Sequence, residues 1–416
     1  MHYSRSATVI GLLALTLSTF IAITSELLPV GLLPEIADSA GVPVGTAGLT
    51  VSVFAVCVAI LAVPLARATD RFPRKWLLVA TIVCYAVSDL IVASSSDFAV
   101  ILAGRAVGGI GHAVFYSVVT SYAARLVAPH LVGRAMTVAF AGGSLGSIFG
   151  VPIATGIGVA FDWRTAFVVM ALAAAMLGVA VALFLPSVEG SPTPITGTIS
   201  QRAWWRAGLI AVGAVNTLLF VGQHFVYTYI TSLLRVAGVT GDRVSPVLFA
   251  LGLVSVAGLL ASGALVDRRP RLGAILHVAT IVGSLGILGP LLLLSASTGS
   301  GLPALGAIAL WNIAFAGVGT FMMTAAIRTG IASPSVAGAF VNSTSNVGIT
   351  VGSAAGGLGL ALGGPEVLPV AGAVVCAAAL VVLIVARQGF PSKPHRELSL
   401  NTTGSIRTVL PPRSRR

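Results

Sequence analysis

Charged side chains are scarce in this sequence of 416 residues, and acidic ones are the scarcest. Asp, Glu, Lys and Arg together make up 9% of the chain, and only 12 residues are acidic. Soluble domains carry about 25% charged residues, because water must solvate their surfaces. Since 56% of this chain is apolar, the composition excludes an ordinary water-soluble globule and indicates that lipid surrounds most of the protein.

Cysteine is also rare, and the sequence lacks metal-binding and catalytic patterns. Cys57, Cys84 and Cys376 lie within apolar stretches, without a CxxC spacing or a His at ligand spacing. Such cysteines usually serve as small packing residues. We therefore expect no disulfide framework, no metal and no cofactor. Because paired acids and His clusters are missing, we also expect that the protein is not an enzyme.

Long apolar stretches, by contrast, fill the chain. The hydrocarbon core of a bilayer is about 30 Å thick, so a helix that crosses it needs roughly 20 apolar residues. Twelve stretches are long enough, at 8–33, 46–66, 76–93, 98–121, 136–159, 165–185, 207–232, 244–266, 272–294, 302–327, 337–360 and 367–386. The sequence predicts an all-α integral membrane protein with twelve transmembrane helices. The first stretch lacks the marks of a cleaved signal peptide and is predicted to remain as the first helix.

An internal repeat divides these helices into two sets of six. The string Asp-Arg-x-Pro-Arg occurs at residues 70–74 and again at 267–271, which is 197 residues further on. A repeat of this length predicts two pseudo-symmetric six-helix bundles. We expect an N-terminal bundle at 1–186, a cytoplasmic linker at 187–205, a C-terminal bundle at 206–387 and a disordered basic cytoplasmic tail at 388–416.

The net charge of +12 is distributed unevenly across the predicted membrane. Twenty of the 24 basic residues fall on the side of the chain termini, whereas Arg164, Arg235 and Arg243 fall on the opposite side and Arg105 falls within a helix. Basic loops face the cytoplasm, so we predict a multi-pass protein of the plasma (inner) membrane with both termini cytoplasmic. The charge therefore requires no nucleic-acid partner.

The repeated loop strings are candidates for cytoplasmic gates. Their charged residues are Asp70, Arg71 and Arg74 in the first copy and Asp267, Arg268 and Arg271 in the second. A carboxylate at a helix C-terminus is disfavoured by the helix dipole unless cations offset it. We therefore expect salt bridges that form and break as the protein changes conformation. Alternatively, these charges only set the topology.

An arginine within the fourth helix marks a polar stripe. Arginine in hydrocarbon costs at least about 2.5 kcal/mol, so Arg105 is expected to face a wet cavity or a partner. His112 and Tyr116 follow it by seven and eleven residues and share its helix face. We predict that both line the substrate cavity. Alternatively, His112 is a hydrogen-bonded packing residue.

Two acidic residues, Glu26 and Asp89, lie inside the predicted helices. Coupling to protons requires a group that is neutral in one state and charged in another. We predict that Glu26 takes the proton, that Arg105 tunes its proton affinity, and that Thr19 lines the cavity on the same helix face. Asp89 is a second candidate for proton coupling. The alternatives are a Glu26 that reaches the membrane boundary and an Asp89 that is structural.

Small residues recur every four positions in the fifth helix, at Gly142, Gly146 and Gly150, and Pro152 follows. Glycines at this spacing permit close helix approach, and proline removes a backbone hydrogen bond. The eleventh helix carries a matching series that includes Gly348. We expect the two glycine helices to form an interface on which the halves rock, or else to make ordinary helix contacts.

Uncharged polar and aromatic residues form stripes on the helices of the C-terminal half. They are Asn216, Gln223 and Tyr227 on the seventh helix, Trp311 and Asn312 on the tenth, and Asn342 and Asn346 on the eleventh. Amide, hydroxyl and aromatic groups suit a neutral, partly apolar solute that forms hydrogen bonds. The alternative is interhelical hydrogen bonding, which contributes only about 0.6 kcal/mol per bond.

Several of these patterns resemble signatures of the major facilitator superfamily. They are the loop Gly263-Ala264-Leu265-Val266-Asp267-Arg268, the string from Arg105 to Gly111, the fifth-helix glycines, and the acid at 26 followed by Pro29 and Pro34. The last two are similar to drug/H⁺ antiporters and to sugar (arabinose-type) and chloramphenicol exporters. The resemblance implies a monomeric transporter with two bundles around a midplane cavity. It would export a small amphipathic compound or drug by alternating access, with the proton gradient as its energy source. A sugar or nucleoside exporter, or an uncoupled facilitator, of the same fold is the alternative.

Overall fold

The computed structural model describes residues 5–69, 71–128, 131–187, 203–329 and 334–390, and every regular element in these ranges is helical. The first half contains α1 (Arg5–Gly31), α2 (Leu33–Ala40), α3 (Val44–Ala47), α4 (Leu49–Ala68), α5 (Arg74–Ala93), α6 (Phe98–Leu126), α7 (Val132–Leu145), α8 (Val151–Ala160) and α9 (Trp163–Phe184). The second half contains α10 (Ala203–Tyr227), α11 (Ile230–Val236), α12 (Val244–Arg268), α13 (Pro270–Thr298), α14 (Leu302–Ala316), α15 (Val318–Arg328), α16 (Pro334–Gly363) and α17 (Val367–Val385).

Twelve helical stretches are long and apolar enough to cross a membrane, which confirms the predicted number of spans. Some spans consist of more than one helix. In the fifth, Arg134–Ala160, a π-helical turn at Gly146–Gly150 joins α7 to α8. Large apolar side chains such as Leu183 and Leu260 are about 70% exposed on the outside of the bundle. Since water would penalise this exposure, these surfaces are suited to lipid.

The buried side chains form two apolar clusters. One consists of residues from the first half, including Leu15, Tyr85 and Phe167. The other consists mainly of residues from the second half and also takes in Val30 and Val51 from the first. The segments predicted as a linker and as a tail lie mostly outside the described residues, at 188–202 and 391–416.

The halves are joined at the end of the bundle that is distant from the chain termini. There the hydroxyl of Ser245 donates to the carbonyl oxygen of Pro152 at 2.7 Å, and the hydroxyl of Tyr229 lies 3.1 Å from the carbonyl oxygen of Gly45. An ion pair between Arg235 and Glu35, with 3.7 Å between Nη2 and Oε1, lies at the same end. These are the hydrogen bonds and ion pairs that link the two halves within the described ranges. The two halves are therefore closed against each other at this distal end.

Candidate functional site

A proline in the first span leaves a backbone carbonyl free to accept a hydrogen bond from the buried arginine of the fourth span. In an α-helix the Ser25 carbonyl would accept a hydrogen bond from the N–H of residue 29, but Pro29 has none. Arg105 takes this place: Nη1 donates to the Ser25 carbonyl at 2.8 Å and Nη2 to that of Glu26 at 2.7 Å. Nε donates to the Thr50 carbonyl at 3.1 Å. The guanidinium group thus binds the first and second spans together.

Packing around Arg105 is tight and explains the glycines that follow it. Its guanidinium carbon lies 4.5 Å from the ring centroid of Phe54 on α4, a cation–π contact. A Cβ atom at Gly109 would lie 2.5 Å from the Phe54 carbonyl oxygen, and one at Gly108 would lie 2.6 Å from the Ser88 hydroxyl. Larger residues at these positions would push the helices apart. The glycines therefore let α4 and α5 approach the arginine.

Asp89 lies in the same cluster. It is fully buried on α5, and its Oδ1 accepts a hydrogen bond from the hydroxyl of Ser25 at 2.9 Å. Its other oxygen, Oδ2, has no hydrogen-bond partner among the described residues. An unpartnered buried carboxylate oxygen is energetically costly. The third span thus contributes an acid whose hydrogen bonding is incomplete in this conformation.

Glu26 points into the bundle and not toward lipid. Its side chain is 10% exposed, and Oε2 lies 3.6 Å from Nε2 of His112 on α6. The other ring nitrogen of His112, Nδ1, lies 3.0 Å from the hydroxyl of Tyr85. Tyr116 packs edge-on against the same imidazole at 5.2 Å. Glu26, His112 and Tyr85 therefore form a polar chain across the first, fourth and third spans.

The fifth-span glycines contact the first span of their own half. A Cβ atom at Gly142 would lie 1.8 Å from the carbonyl oxygen of Thr16, and one at Gly150 would lie 2.0 Å from the hydroxyl of Thr24. A Cβ atom at Gly146 would lie 2.9 Å from the carbonyl oxygen of Phe20. Thr19 is buried beside this crossing and donates to its own helix at the Leu15 carbonyl.

The glycine series of the eleventh span has the same arrangement. Gly348, Gly352 and Gly356 meet the carbonyl oxygens of Thr217, Val221 and Phe225 on α10. Each of these residues lies 201 positions after its counterpart Thr16, Phe20 or Thr24. The ladders therefore hold each half together. Other residues of the same two spans contact the opposite half. A Cβ atom at Gly252 would lie 2.9 Å from the Cα atom of Ile148 in the fifth span, and one at Gly357 of the eleventh span would lie 2.3 Å from the carbonyl oxygen of Gly45. Pro152 also accepts the cross-half bond from Ser245, and rocking of the halves on these two spans stays a prediction.

The polar residues of the C-terminal half have different surroundings. The amide of Asn216 is fully buried and lies within 3.0 Å of Val341, Thr344 and Ser345 on α16, so it joins two helices. The amides of Asn312 and Asn346 donate to their own helices, the latter to the carbonyl of the half-buried Asn342.

Tyr227 and Trp311 lie together, with ring centroids 6.4 Å apart. Gln223, one helical turn before Tyr227, is buried, and its Oε1 has no partner among the described residues.

The predicted gate residues are only partly described. Asp70 and the side chain of Asp267 lie outside the described part of the chain. Arg71 and Arg268 are exposed, and Arg74 is buried. Arg271 donates to the carbonyl oxygen of Ile384 at the end of α17, within its own half.

Sequence reasoning missed three members of the site: Ser25, Thr50 and Tyr85. Ser25 could have been found, since it lies four residues before Pro29 and so has a free carbonyl. Thr50 contributes only its backbone carbonyl. Tyr85 reaches the site because α5 is rotated about its axis so that this side chain faces His112. The sequence contains no signal for these two.

Comparison with known proteins agrees with this architecture. The family model of the Major Facilitator Superfamily matches residues 15–340. A chloramphenicol efflux pump of Mycobacterium tuberculosis is 33% identical over 363 residues, which is 85% of this chain and 86% of that protein. A probable sugar efflux transporter of Mannheimia succiniciproducens is 26% identical over 83% of this chain and 85% of that protein.

Solved structures share the fold. The structure of a bacterial homologue of the human lysosomal transporter Spinster matches with a TM-score of 0.73 and 15% identity, covering 93% of this chain and 98% of that one. The resemblance predicted from the loop, the arginine helix and the glycine ladder is thereby confirmed. This chain belongs to the major facilitator superfamily and is a twelve-span membrane transporter of small molecules.

Proposed function

We propose that this chain exports a small amphipathic compound of the chloramphenicol type by proton antiport. The identity of 33% with a chloramphenicol efflux pump, over 85% of the chain, is the observation that carries the choice of solute. The charge distribution supports a topology with both termini in the cytoplasm. On that topology the closed distal end faces away from the cytoplasm, the side from which an exporter loads its solute.

The cluster around Arg105 supports proton coupling. The guanidinium group is held by the carbonyls of Ser25, Glu26 and Thr50, and among the described residues it forms no ion pair with Glu26 or Asp89. Its positive charge therefore lies near both acids without neutralising either one. We assign the transported proton to Glu26, whose side chain retains some exposure and whose Oε2 lies 3.6 Å from Nε2 of His112.

The proposed cycle couples the proton to helix movement. The Ser25 and Glu26 carbonyls belong to the same helical turn as the Glu26 carboxyl group, so Arg105 responds to any shift of α1. Loss of the proton leaves a charge that must find water, Arg105 or His112. A state with solvent access to Glu26 stabilises this charge, and a closed state favours the neutral acid. Alternation between these two states exchanges solute for proton.

The test is uptake of radiolabelled chloramphenicol into inside-out vesicles whose interior is acidic. We expect uptake that depends on the gradient, disappears when nigericin collapses it, and loses its gradient dependence in Glu26→Gln. Asp242→Asn is the control, because this acid is exposed in the short turn before α12. If uptake by the native chain is the same with and without the proton gradient, antiport is contradicted.

The similarity to a sugar efflux transporter supports a second candidate, sugar export. The same vesicles distinguish the two if labelled arabinose is included in the panel. Gradient-driven uptake of arabinose without uptake of chloramphenicol would replace the proposed solute and leave the proton mechanism in place.

A further inference from the structure

A histidine that the proton mechanism does not use lies in the C-terminal half. His224 is 5% exposed on α10, and its Nδ1 lies 3.2 Å from the carbonyl oxygen of Phe220 one turn earlier. Because a carbonyl can only accept, Nδ1 carries the hydrogen, and in the neutral ring Nε2 carries the lone pair. Nε2 has no hydrogen-bond partner among the described residues. The site therefore contains a hydrogen-bond acceptor with fixed orientation.

The packing of α10 indicates which way this ring faces. One side of the helix is taken by the glycines of α16, which meet the carbonyls of Thr217, Val221 and Phe225. A second side is taken by α17, where a Cβ atom at Gly222 would lie 2.4 Å from the sulfur of Cys376. The Cβ atoms of Phe220 and His224 border the α16 crossing, at 2.5 Å from a Cβ atom built at Gly348 and 3.1 Å from one built at Gly352. Their rings therefore leave the helix at the edge of this crossing, next to half-buried Tyr227.

An aromatic wall surrounds the acceptor. The imidazole is stacked on Phe220 at 5.9 Å with an interplanar angle of 10°, and Tyr227 meets it edge-on at 6.1 Å. Phe315 and Trp311 on α14 extend the wall, since they contact Phe220 and Tyr227 respectively. A flat apolar ring can stack here while a polar group of the same molecule reaches Nε2.

The repeat relates this wall to the proton site of the other half. Tyr227 lies 201 positions after Glu26, the same offset that relates the two helix–glycine crossings, and Trp311 lies 199 positions after His112. The pair Glu26 and His112 thus corresponds to the pair Tyr227 and Trp311. Since the pseudo-symmetry of the fold turns equivalent faces toward the same central gap, Tyr227 and Trp311 are on the side of their bundle that faces the proton site. His224 borders this side, because its ring contacts Tyr227.

We infer that His224 is a specificity-determining residue, whose Nε2 accepts a hydrogen bond from a hydroxyl group of an aryl-alcohol solute stacked on this wall. The inference rests on the proposed function and names a contact for its solute. Chloramphenicol has the required parts, an aryl ring and two nearby hydroxyl groups. His224 stays neutral in this contact. The contact therefore determines which solute binds, and proton coupling remains with Glu26 in the N-terminal half.

The experiment measures binding of chloramphenicol and its two mono-deoxy analogues to the purified full chain by equilibrium dialysis. In the native protein we expect one deoxy analogue to bind roughly five- to tenfold more weakly than chloramphenicol, the range for one neutral hydrogen bond. His224→Asn retains a donor near the Nδ1 position but removes the acceptor at Nε2. This variant should bind all three compounds with similar affinity. His224→Gln places an amide near the Nε2 position and should keep part of the preference.

Each outcome has a distinct reading. Equal binding of all three compounds by the native chain would overturn the role of His224, as would an unchanged preference in His224→Asn. A loss of affinity in His224→Asn that is the same for all three compounds would show a structural role only. Failure of the native chain to bind chloramphenicol at all would overturn the proposed solute together with this inference.

Discussion

Pro29 determines how the buried arginine is held. By removing one N–H group from the first span, it frees the Ser25 carbonyl for the guanidinium group of Arg105, which lies 2.8 Å away. A charged donor in the bundle interior needs such acceptors, because water is not available to solvate it. The helix gives up one backbone hydrogen bond, and the site gains a fixed positive charge beside two acids.

Pro29→Ala tests this arrangement. The added N–H can bond the Ser25 carbonyl within α1 and compete with Arg105. We expect chloramphenicol transport to fall about tenfold or more, because a hydrogen bond to a charged group contributes about 1.5–3 kcal/mol. The unfolding temperature of Pro29→Ala should be unchanged or higher, since a proline inside a helix is itself destabilising by about 3 kcal/mol. Vesicle uptake and thermal unfolding measure the two effects.

The control is Pro290→Ala within α13. Four residues before it lies Gly286, which has nothing within 4 Å of a built Cβ atom. This variant should gain stability without losing transport. Equal transport losses in the two variants would show that the effect is not specific to the arginine.

Single residues differ in how well the sequence predicts their role. Arg105 and Glu26 stand out because charge inside hydrocarbon needs an explanation, and the structure brings them together. Asp89, the second candidate for proton coupling, lies fully buried against Ser25 in the same cluster, and its role stays a prediction. Asn216 looked like a solute contact but bonds a neighbouring helix. Helical periodicity shows which residues share a face, but it does not show which helix that face meets.

At the scale of elements, the glycine crossings are the clearest feature. The fifth span packs so closely on the first that the carbonyl of Thr16 occupies the place of a side chain at Gly142. The eleventh span does the same on the seventh. The spacing of the glycines predicted close contact, whereas the identity of the partner helix depended on the three-dimensional arrangement and was not predicted.

Gly142→Ala and Gly143→Ala form a matched pair for this crossing. At Gly142 the new methyl group would lie 1.8 Å from a backbone oxygen, which cannot move aside, whereas at Gly143 the nearest atoms lie at an ordinary 3.4 Å. We expect Gly142→Ala to destabilise the protein by about 1–3 kcal/mol, and Gly143→Ala to change stability little. Thermal unfolding in detergent provides the comparison. Similar unfolding temperatures for the two variants would contradict the tight crossing.

At the scale of the whole molecule, the two halves meet through backbone at the distal end. A Cβ atom at Gly45 would lie 2.4 Å from the carbonyl oxygen of Gly357, and one at Gly357 would lie 2.3 Å from that of Gly45. Tyr229 lies over this contact, with its hydroxyl 2.7 Å from the Ser353 carbonyl and 3.1 Å from the Gly45 carbonyl. Closure of the distal end therefore requires glycine at both positions.

Gly45→Ala is expected to shift the protein toward a state that is open at the distal end. Spin labels on cysteines at Ser94 and Ser300, which are exposed at that end of opposite halves, report the separation after the native cysteines are replaced. The distance distribution should move to longer values in Gly45→Ala. Gly306→Ala is the control, because nothing lies within 4 Å of its built Cβ atom. An unchanged distribution in Gly45→Ala would contradict the backbone contact as a requirement for closure.

Acid should favour this distal closure through Glu35, which follows the first span on α2. Burial raises the pKa of its carboxyl group, while its own backbone N–H and Arg235 lower it and Asp38 raises it. We expect separation of the halves both to expose the Glu35 carboxyl group and to remove Arg235. Because burial is the largest influence on this pKa, the pKa should fall toward its ordinary value. The closed state therefore binds the proton more tightly. Closure is strongest below the ordinary pKa of the carboxyl group and weakens as the pH rises from there through the raised pKa.

The same pair of spin labels measures this response. Glu35→Gln should reduce the dependence of the distance distribution on pH and favour closure at neutral pH. A pH response that is identical in the native chain and in Glu35→Gln would assign the effect to other groups.

Exchange of solute for a proton at Glu26 is tested most directly by proton release on solute binding. Purified protein in weakly buffered detergent solution is mixed with saturating chloramphenicol, and a pH-sensitive dye follows the solution. The native chain and Asp242→Asn should release protons, and Glu26→Gln should bind the drug with little or no release. Binding without any release by the native chain, or undiminished release from Glu26→Gln, would contradict proton antiport through this carboxyl group.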